Sequence, residues 1–254
     1  MKFDLEYYRD DIITKMEDDN GNSNRTKMKF GYKCMRCSYI ALFLFCSLFI
    51  VGTTKNNDIS SQFNHVQFQM NEIETIIKKD IFKQESIKKI LTIINNYESV
   101  MDSVLRCEVA NVIFEMTIKY QNLDIDLICA TITHESARTW NPVVKSPVGA
   151  IGLMQIMPST GEMLVEMEGI EWYDTILNDP IINIKLGSMY LSTLIEMYEI
   201  DGGLAAYNGG PRRAERWIRY NKADNILPDE TQKYIPFVLG YYKLFLNMDD
   251  SRIM

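Results

Sequence analysis

Between residues 104 and 248 apolar positions recur at three- and four-residue spacings and strand-like alternation is scarce, which predicts an almost wholly helical domain. Val104–Tyr120 reads as an amphipathic helix, and Asp124 is placed to cap a second over Ile125–Glu135. Asp179-Pro180 is a helix start, with proline at the first helical position, for a helix to about Tyr198 that Gly202-Gly203 would end. Pro211–Tyr220 and Asp229–Met248 complete the series. Upstream, Ile73, Ile76, Ile77, Ile81, Ile87, Ile90, Leu91 and Ile94 keep helical spacing through the charged stretch Val66–Tyr97. That stretch predicts one or two helices, forming a stalk, packing on the main domain, or binding a partner as a coiled coil. The run is too short to establish heptads.

The first third has a different pattern. Residues 1–24 hold seven acids and three bases and end in Asp18-Asp19-Asn20-Gly21, a polar stretch expected to be disordered. Arg25, Lys27, Lys29, Lys33 and Arg36 then precede an uncharged stretch, 37–54, with an apolar centre from Tyr39 to Val51. That centre is short for a spanning helix and fits the core of a signal peptide. A membrane anchor and a cleaved signal both remain open, and either exports the chain beyond residue 54. Translation from Met28 would make residues 1–27 an upstream mis-start. The expected organisation is a tail over 1–36, the apolar segment over 37–54, a linker and helical stalk over 55–100, and a catalytic domain over 101–250.

Composition narrows the functional classes. The 254 residues carry 34 acidic and 27 basic side chains, a formal charge of −7, against the basic excess of nucleic-acid binders. With two histidines, His65 and His134, a histidine-rich metal site is excluded. No glycine-rich phosphate loop occurs. Cys34-x-x-Cys37 lacks the second pair that a zinc site needs. Cys107 and Cys129 could form a disulfide in an exported domain or remain two buried thiols.

The candidate chemistry begins at Glu135. Ile125, Ile128, Ile132 and Glu135 share one helix face, apolar except for the carboxyl at its last turn. A carboxyl held against apolar side chains keeps its proton to higher pH, as general-acid cleavage of a glycosidic bond requires. A glutamate at a helix end is more often a solvated or capping residue, so the loops beyond it matter. Trp140-Asn141-Pro142 leads into the block Ser146–Pro158 (SPVGAIGLMQIMP). Ala205-Ala206-Tyr207-Asn208-Gly209-Gly210 and Glu230-Thr231-Gln232-Lys233-Tyr234 come later.

These blocks, in this order, resemble the soluble-lytic-transglycosylase (SLT) catalytic domain, a lysozyme-like family that cleaves peptidoglycan. The resemblance covers about residues 105–247. It implies an all-α, goose-type lysozyme-like fold behind the anchor or signal segment and stalk. It also implies that Glu135 is the single catalytic acid/base. By position, Ser146 is similar to the family serine that contacts the reacting muramoyl unit. Gln155 and Met157 match positions lining the glycan groove. Tyr207, with Asn208 beside it, resembles the tyrosine next to the catalytic carboxyl, and Glu230 and Tyr234 match a pair that contacts substrate and supports the site. No metal or organic cofactor is implied.

The partners expected from this reading are glycan strands, the membrane through 37–54, and an envelope-complex protein through 66–97, with no nucleic acid. The expected location is the cell envelope, with the catalytic domain outside the cytoplasmic membrane or secreted. A lysozyme-type hydrolase would need a second carboxylate, for which Glu162, Glu168 and Glu230 are candidates. A non-catalytic peptidoglycan-binding protein is the other alternative. One departure stands out: Arg138-Thr139 lengthen the loop after the acid by two residues.

Overall fold

The computed structural model describes the backbone of residues 25–97 and 99–248, and the side chains among these except for 25–44 and 48–58. Residues 1–24 of the expected tail lie outside the described residues, and the side chains of most of the 37–54 segment do too. Among the described residues no helix is long and apolar enough to cross a membrane. The chain divides into two compact units, Met1–Thr75 and Ile76–Met254.

One helix, α1, runs from Arg25 to Asn95. In the first unit its side chains from Ile59 to Thr75 are exposed throughout. In the second unit the apolar positions change character, since Ile90, Ile93 and Ile94 are fully buried. The end of α1 is therefore part of the domain core. Lys89 of α1 forms an ion pair with Asp126 at 2.9 Å, both side chains being largely buried.

The rest of the second unit is helical: α2 (Ser103–Lys119), α3 (Ile125–Glu135), α4 (Pro158–Met167), a short 3-10 turn (Ile176–Asn178), α5 (Pro180–Gly209), α6 (Pro211–Arg219) and α7 (Asp229–Leu246). Extended pairing among the described residues is limited to isolated bridges of Ile151 with Lys145 and with Ile156.

Local chemistry accounts for the helix starts. Asp102, Asp124 and Asp179 each occupy an N-cap with extended backbone and accept from amides of the first turn. Helix α3 is the most enclosed element, with every residue from Asp126 to Thr133 buried. It packs on α7, and Tyr242 of α7 donates to Asp124 Oδ2 at 2.6 Å, tying the two helices at the start of α3.

Helix α5 follows expectation to Tyr198 and departs from it beyond. The chain breaks at Glu199, with φ of 60°, and resumes as helix through Gly209. Gly202 and Gly203 do not end the helix. They lie in the resumed part, where an added Cβ at Gly202 would meet Ile218 Cδ1 at 2.7 Å and one at Gly203 would meet Ile195 Cγ1 at 2.7 Å. Their small size permits close packing rather than termination, and this puts Tyr207 and Asn208 on a helix instead of a loop. Cys107 is exposed, Cys129 is buried, and both are free, so neither the disulfide nor the pair of buried thiols forms.

Candidate active site

Glu135 is the last residue of α3, where the buried helix reaches the edge of the core. Ile128 and Ile132 on the same face are fully buried, as the spacing requires. The Glu135 side chain keeps partial solvent contact while protein packs densely around its carboxyl. Its pKa is raised to about 8, chiefly by desolvation in that packing, with the Tyr234 hydroxyl opposing the rise and the Glu230 carboxylate adding to it. The carboxyl therefore holds its proton at neutral pH, the state required of a general acid.

Tyr234, on α7, is 1% exposed. Its hydroxyl lies close enough to the Glu135 carboxyl to act on its ionisation, yet makes no hydrogen bond of ordinary geometry. Burial and the Glu135 charge together drive the phenol well above its ordinary pKa, so it stays a donor. His134 packs edge-on against Tyr234 with ring centroids 4.8 Å apart and lies 6.0 Å from Phe237. Burial lowers the pKa of His134, and Glu230 partly opposes that. Although His134 precedes the acid by one residue and leaves its face, it braces the tyrosine that faces the acid.

Glu230 is exposed in the first turn of α7, where a carboxylate suits the helix dipole. Its charge reaches both His134 and Glu135. Tyr207 is half-buried on the resumed part of α5 and donates to the Met154 carbonyl oxygen at 2.8 Å. The phenol proton thus goes to the loop and not to the Glu135 carboxyl. It is still near Glu135, whose charge, after burial, helps raise the phenol pKa. Asn208 accepts from Thr231 Oγ1 at 2.7 Å and so ties α5 to α7.

The loop Ser146–Met157 forms the facing wall. Ser146 closes its first turn, its Oγ accepting from the Ala150 amide at 2.9 Å. Gln155, held at φ of 45°, donates through Nε2 to the carbonyls of Val144 and Gly152. Both side chains thus hold the loop's shape. Gly152 has φ of 83°, and a Cβ there would run into the Asn183 side chain. Asn183, fully buried, accepts from the Met154 amide at 2.8 Å and donates to the carbonyls of Ile151 and Leu177. No signal in the sequence marks this residue, because no local pattern pairs position 183 with a loop so far upstream.

An open pocket of about 330 Å³ is lined by Gln155, Met157, Thr160, Tyr190, Tyr207, Asn208 and Gly209, among others. Gln155 and Met157, expected in the groove, therefore share one cavity with Tyr207 and Asn208. Tyr190, equally unmarked in the sequence, stacks obliquely on Tyr207 at 5.5 Å. Glu135, Glu230 and Tyr234 form the acid cluster, and Tyr207 connects it to the pocket. Ser146 has its only described side-chain hydrogen bond within its own turn.

The inserted residues are absorbed by left-handed backbone at Ala137, Arg138 and Trp140. Thr139 donates to the Ser136 carbonyl at 2.6 Å, and Trp140 is fully buried with its indole donating to Thr133 Oγ1 at 3.2 Å. The longer loop is thus anchored at both ends on α3. Among the described residues no cluster of three or more His, Cys, Asp or Glu side chains could hold a metal ion.

Residues 112–229 match the family model described as the transglycosylase SLT domain. The matched segment, just under half of the chain, belongs to that family. The chain is 41% identical over 133 residues to the soluble lytic murein transglycosylase of Escherichia coli K12, covering 46% of this chain and 20% of that one. It is 34% identical over 120 residues to the transglycosylase of Enterobacteria phage PRD1, covering 47% and 40% respectively. A solved structure of the 70 kDa soluble lytic transglycosylase from Escherichia coli overlaps 52% of this chain and 24% of that one, at 35% identity and a TM-score of 0.45. The chain spans about 20% of the length of the Escherichia coli relative it matches. The SLT match accords with the all-α, lysozyme-like expectation.

Proposed function

We propose that this protein is a peptidoglycan lytic transglycosylase, acting in the cell envelope with Glu135 as its acid/base. The observation that carries the reading is the Glu135 carboxyl, protonated at neutral pH by burial at the end of α3 and connected through Tyr207 to the pocket. The SLT family match supports the substrate class.

In this mechanism Glu135 gives its proton to the oxygen joining N-acetylmuramic acid to N-acetylglucosamine. The bond from that oxygen to C1 breaks, and the acetamido group of the substrate stabilises the positive C1. Glu135, now a carboxylate, takes the proton of the C6 hydroxyl as its oxygen attacks C1. The product is a 1,6-anhydromuramoyl end, and no water is consumed. Intramolecular attack gains from proximity. Tyr234, held neutral, donates toward the carboxylate when it forms. Gln155, Met157, Tyr207 and Asn208 line the groove, while Ser146 shapes the loop above the reacting sugar.

Hydrolysis is the second reading, and Glu230 is the observation behind it. Glu162 is exposed on α4 and Glu168 pairs with Lys119, whereas the charge of Glu230 reaches Glu135. The transglycosylase route needs no second carboxylate and is preferred. The uncharged segment 37–54 serves as membrane anchor or export signal in this reading.

Mass spectrometry of muropeptides released from purified sacculi decides between them. Anhydro ends, lost in Glu135→Gln, are the expected result. Products heavier by one water, lost in Glu230→Gln, would establish hydrolysis. If neither protein releases muropeptides while both bind sacculi, the enzyme reading is overturned in favour of binding.

A further inference from the structure

The proposed chemistry makes no use of the outer part of α1. There Ile59, Phe63, Val66, Met70, Ile73 and Ile77 succeed one another at intervals of four, three, four, three and four residues. This is the repeat of a coiled-coil seam, with Phe63, Met70 and Ile77 at a and Ile59, Val66 and Ile73 at d. Ile59 and Phe63 extend the pattern beyond 66–97, so that five heptad positions precede Ile77.

The six side chains are between 51% and 66% exposed. The same register runs on to Ile87, Leu91 and Ile94, and there the stripe is covered: Ile94 is fully buried, and Ile87 and Leu91 pack against the core. Between the two stretches the seam positions are Asp80 and Gln84. The apolar stripe is thus interrupted where its covering changes. The inner stretch is covered by its own domain, and no described residue covers the outer one.

We infer that the outer stripe, Ile59 to Ile77, is a coiled-coil seam whose occupant is the same stripe of a second copy of this chain. Three observations support a copy over an unrelated partner. A strict a/d repeat is self-complementary, since each knob finds in a second copy the holes that it offers itself. The flanking positions Ser60, Gln67 and Gln69 carry no charge, so copies meet no like-charge opposition beside the seam there, Glu74 being the flanking acid. The apolar area also fits: at on the order of 100 Å² per large exposed side chain, the seam and the flanking Ile76 offer roughly 700 Å² per chain. That exceeds the ~300–600 Å² of the largest patch on an ordinary monomer and approaches the ~800 Å² per partner of a standard interface.

The test uses the full chain in a non-ionic detergent, with its mass measured by light scattering after size exclusion. The variants are Val66→Glu with Ile73→Glu in the seam, and Asn64→Glu with Asn71→Glu off the seam as a control for added charge. The expected result is association of the wild type and of the control, and a single-chain mass for the seam variant. Melting temperature and muropeptide release confirm that the seam variant's domain is intact, because both changes fall outside the second unit. A monomeric wild type overturns the proposal. So does a seam variant that still associates, since the apolar 37–54 segment would then be holding the copies together. Failure of the transglycosylase reading would appear in the muropeptides and leave the measured masses unaffected.

Discussion

Replacing Glu135 with glutamine is expected to stabilise the protein at neutral pH while removing its activity. In the unfolded chain the carboxyl ionises near 4.5, and in the folded state near 8. Below the unfolded value both states are protonated and the site costs nothing. As pH rises past 4.5 the unfolded chain loses its proton and the folded one keeps it. Stability is therefore lost progressively until pH passes the folded value. At pH 7 the gap is about 2.5 pH units, and at about 1.4 kcal/mol per unit the penalty is roughly 3 kcal/mol. Glutamine fills the same volume, carries no charge, and can pair with the Tyr234 hydroxyl. For a domain of this size, roughly 3 kcal/mol corresponds to a rise in Tm of about 6–12 °C. The assay is thermal unfolding of wild type and Glu135→Gln between about pH 4 and pH 9, a range that brackets both ionisations. The two melting curves should meet at the acid end and diverge as pH rises, with the variant above. Parallel curves across the range, or a less stable variant at neutral pH, would refute the claim that burial holds Glu135 protonated.

Other perturbations test the same geometry. Glu230→Gln removes a charge that raises the Glu135 pKa, so the alkaline limb of the pH-rate profile should move to lower pH. Tyr234→Phe removes the group that opposes the rise, so that limb should move to higher pH while kcat falls about 10-fold or more. Opposite shifts in the two variants are the signature to look for, and a shared direction would contradict the arrangement of charges. Gly152→Ala should displace Asn183 and combine a forbidden φ with a steric clash, costing about 2 kcal/mol or more in urea unfolding and most of the activity. Trp140→Ala should cost about 3–5 kcal/mol, because the fully buried indole is the anchor of the lengthened loop. An unchanged urea midpoint in Trp140→Ala would mean that the loop is not held by that ring.

Local rules carry far in this chain. Aspartate caps and Asp179-Pro180 mark helix starts, and the i, i+3, i+7, i+10 spacing puts Glu135 on the buried face of α3 before any contact is known. These features depend on neighbours within a turn or two, and the chain itself supplies those neighbours. The blocks around Ser146, Tyr207 and Glu230 locate the remaining walls of the site. Side-chain direction is less legible. Gly202-Gly203 reads as a stop because glycine ends helices, but packing against Ile195 and Ile218 turns it into a close approach. Along α7, Tyr234 and Phe237 share one helical stripe by spacing, yet Tyr234 is 1% exposed and Phe237 is 58% exposed.

By itself, then, the sequence determined the helical class, most helix starts, the candidate acid and the order of the blocks that surround it. Each of these is set by backbone chemistry or by periodicity along a single element. Only the tertiary structure decided that Tyr207 donates to Met154, that Asn183 pins the loop, that Glu230 and not Glu168 acts on the acid, and that the stripe of α1 is covered at Ile94 and bare at Ile73. Those facts depend on which distant segments meet and how much water they exclude, and no local pattern encodes that meeting.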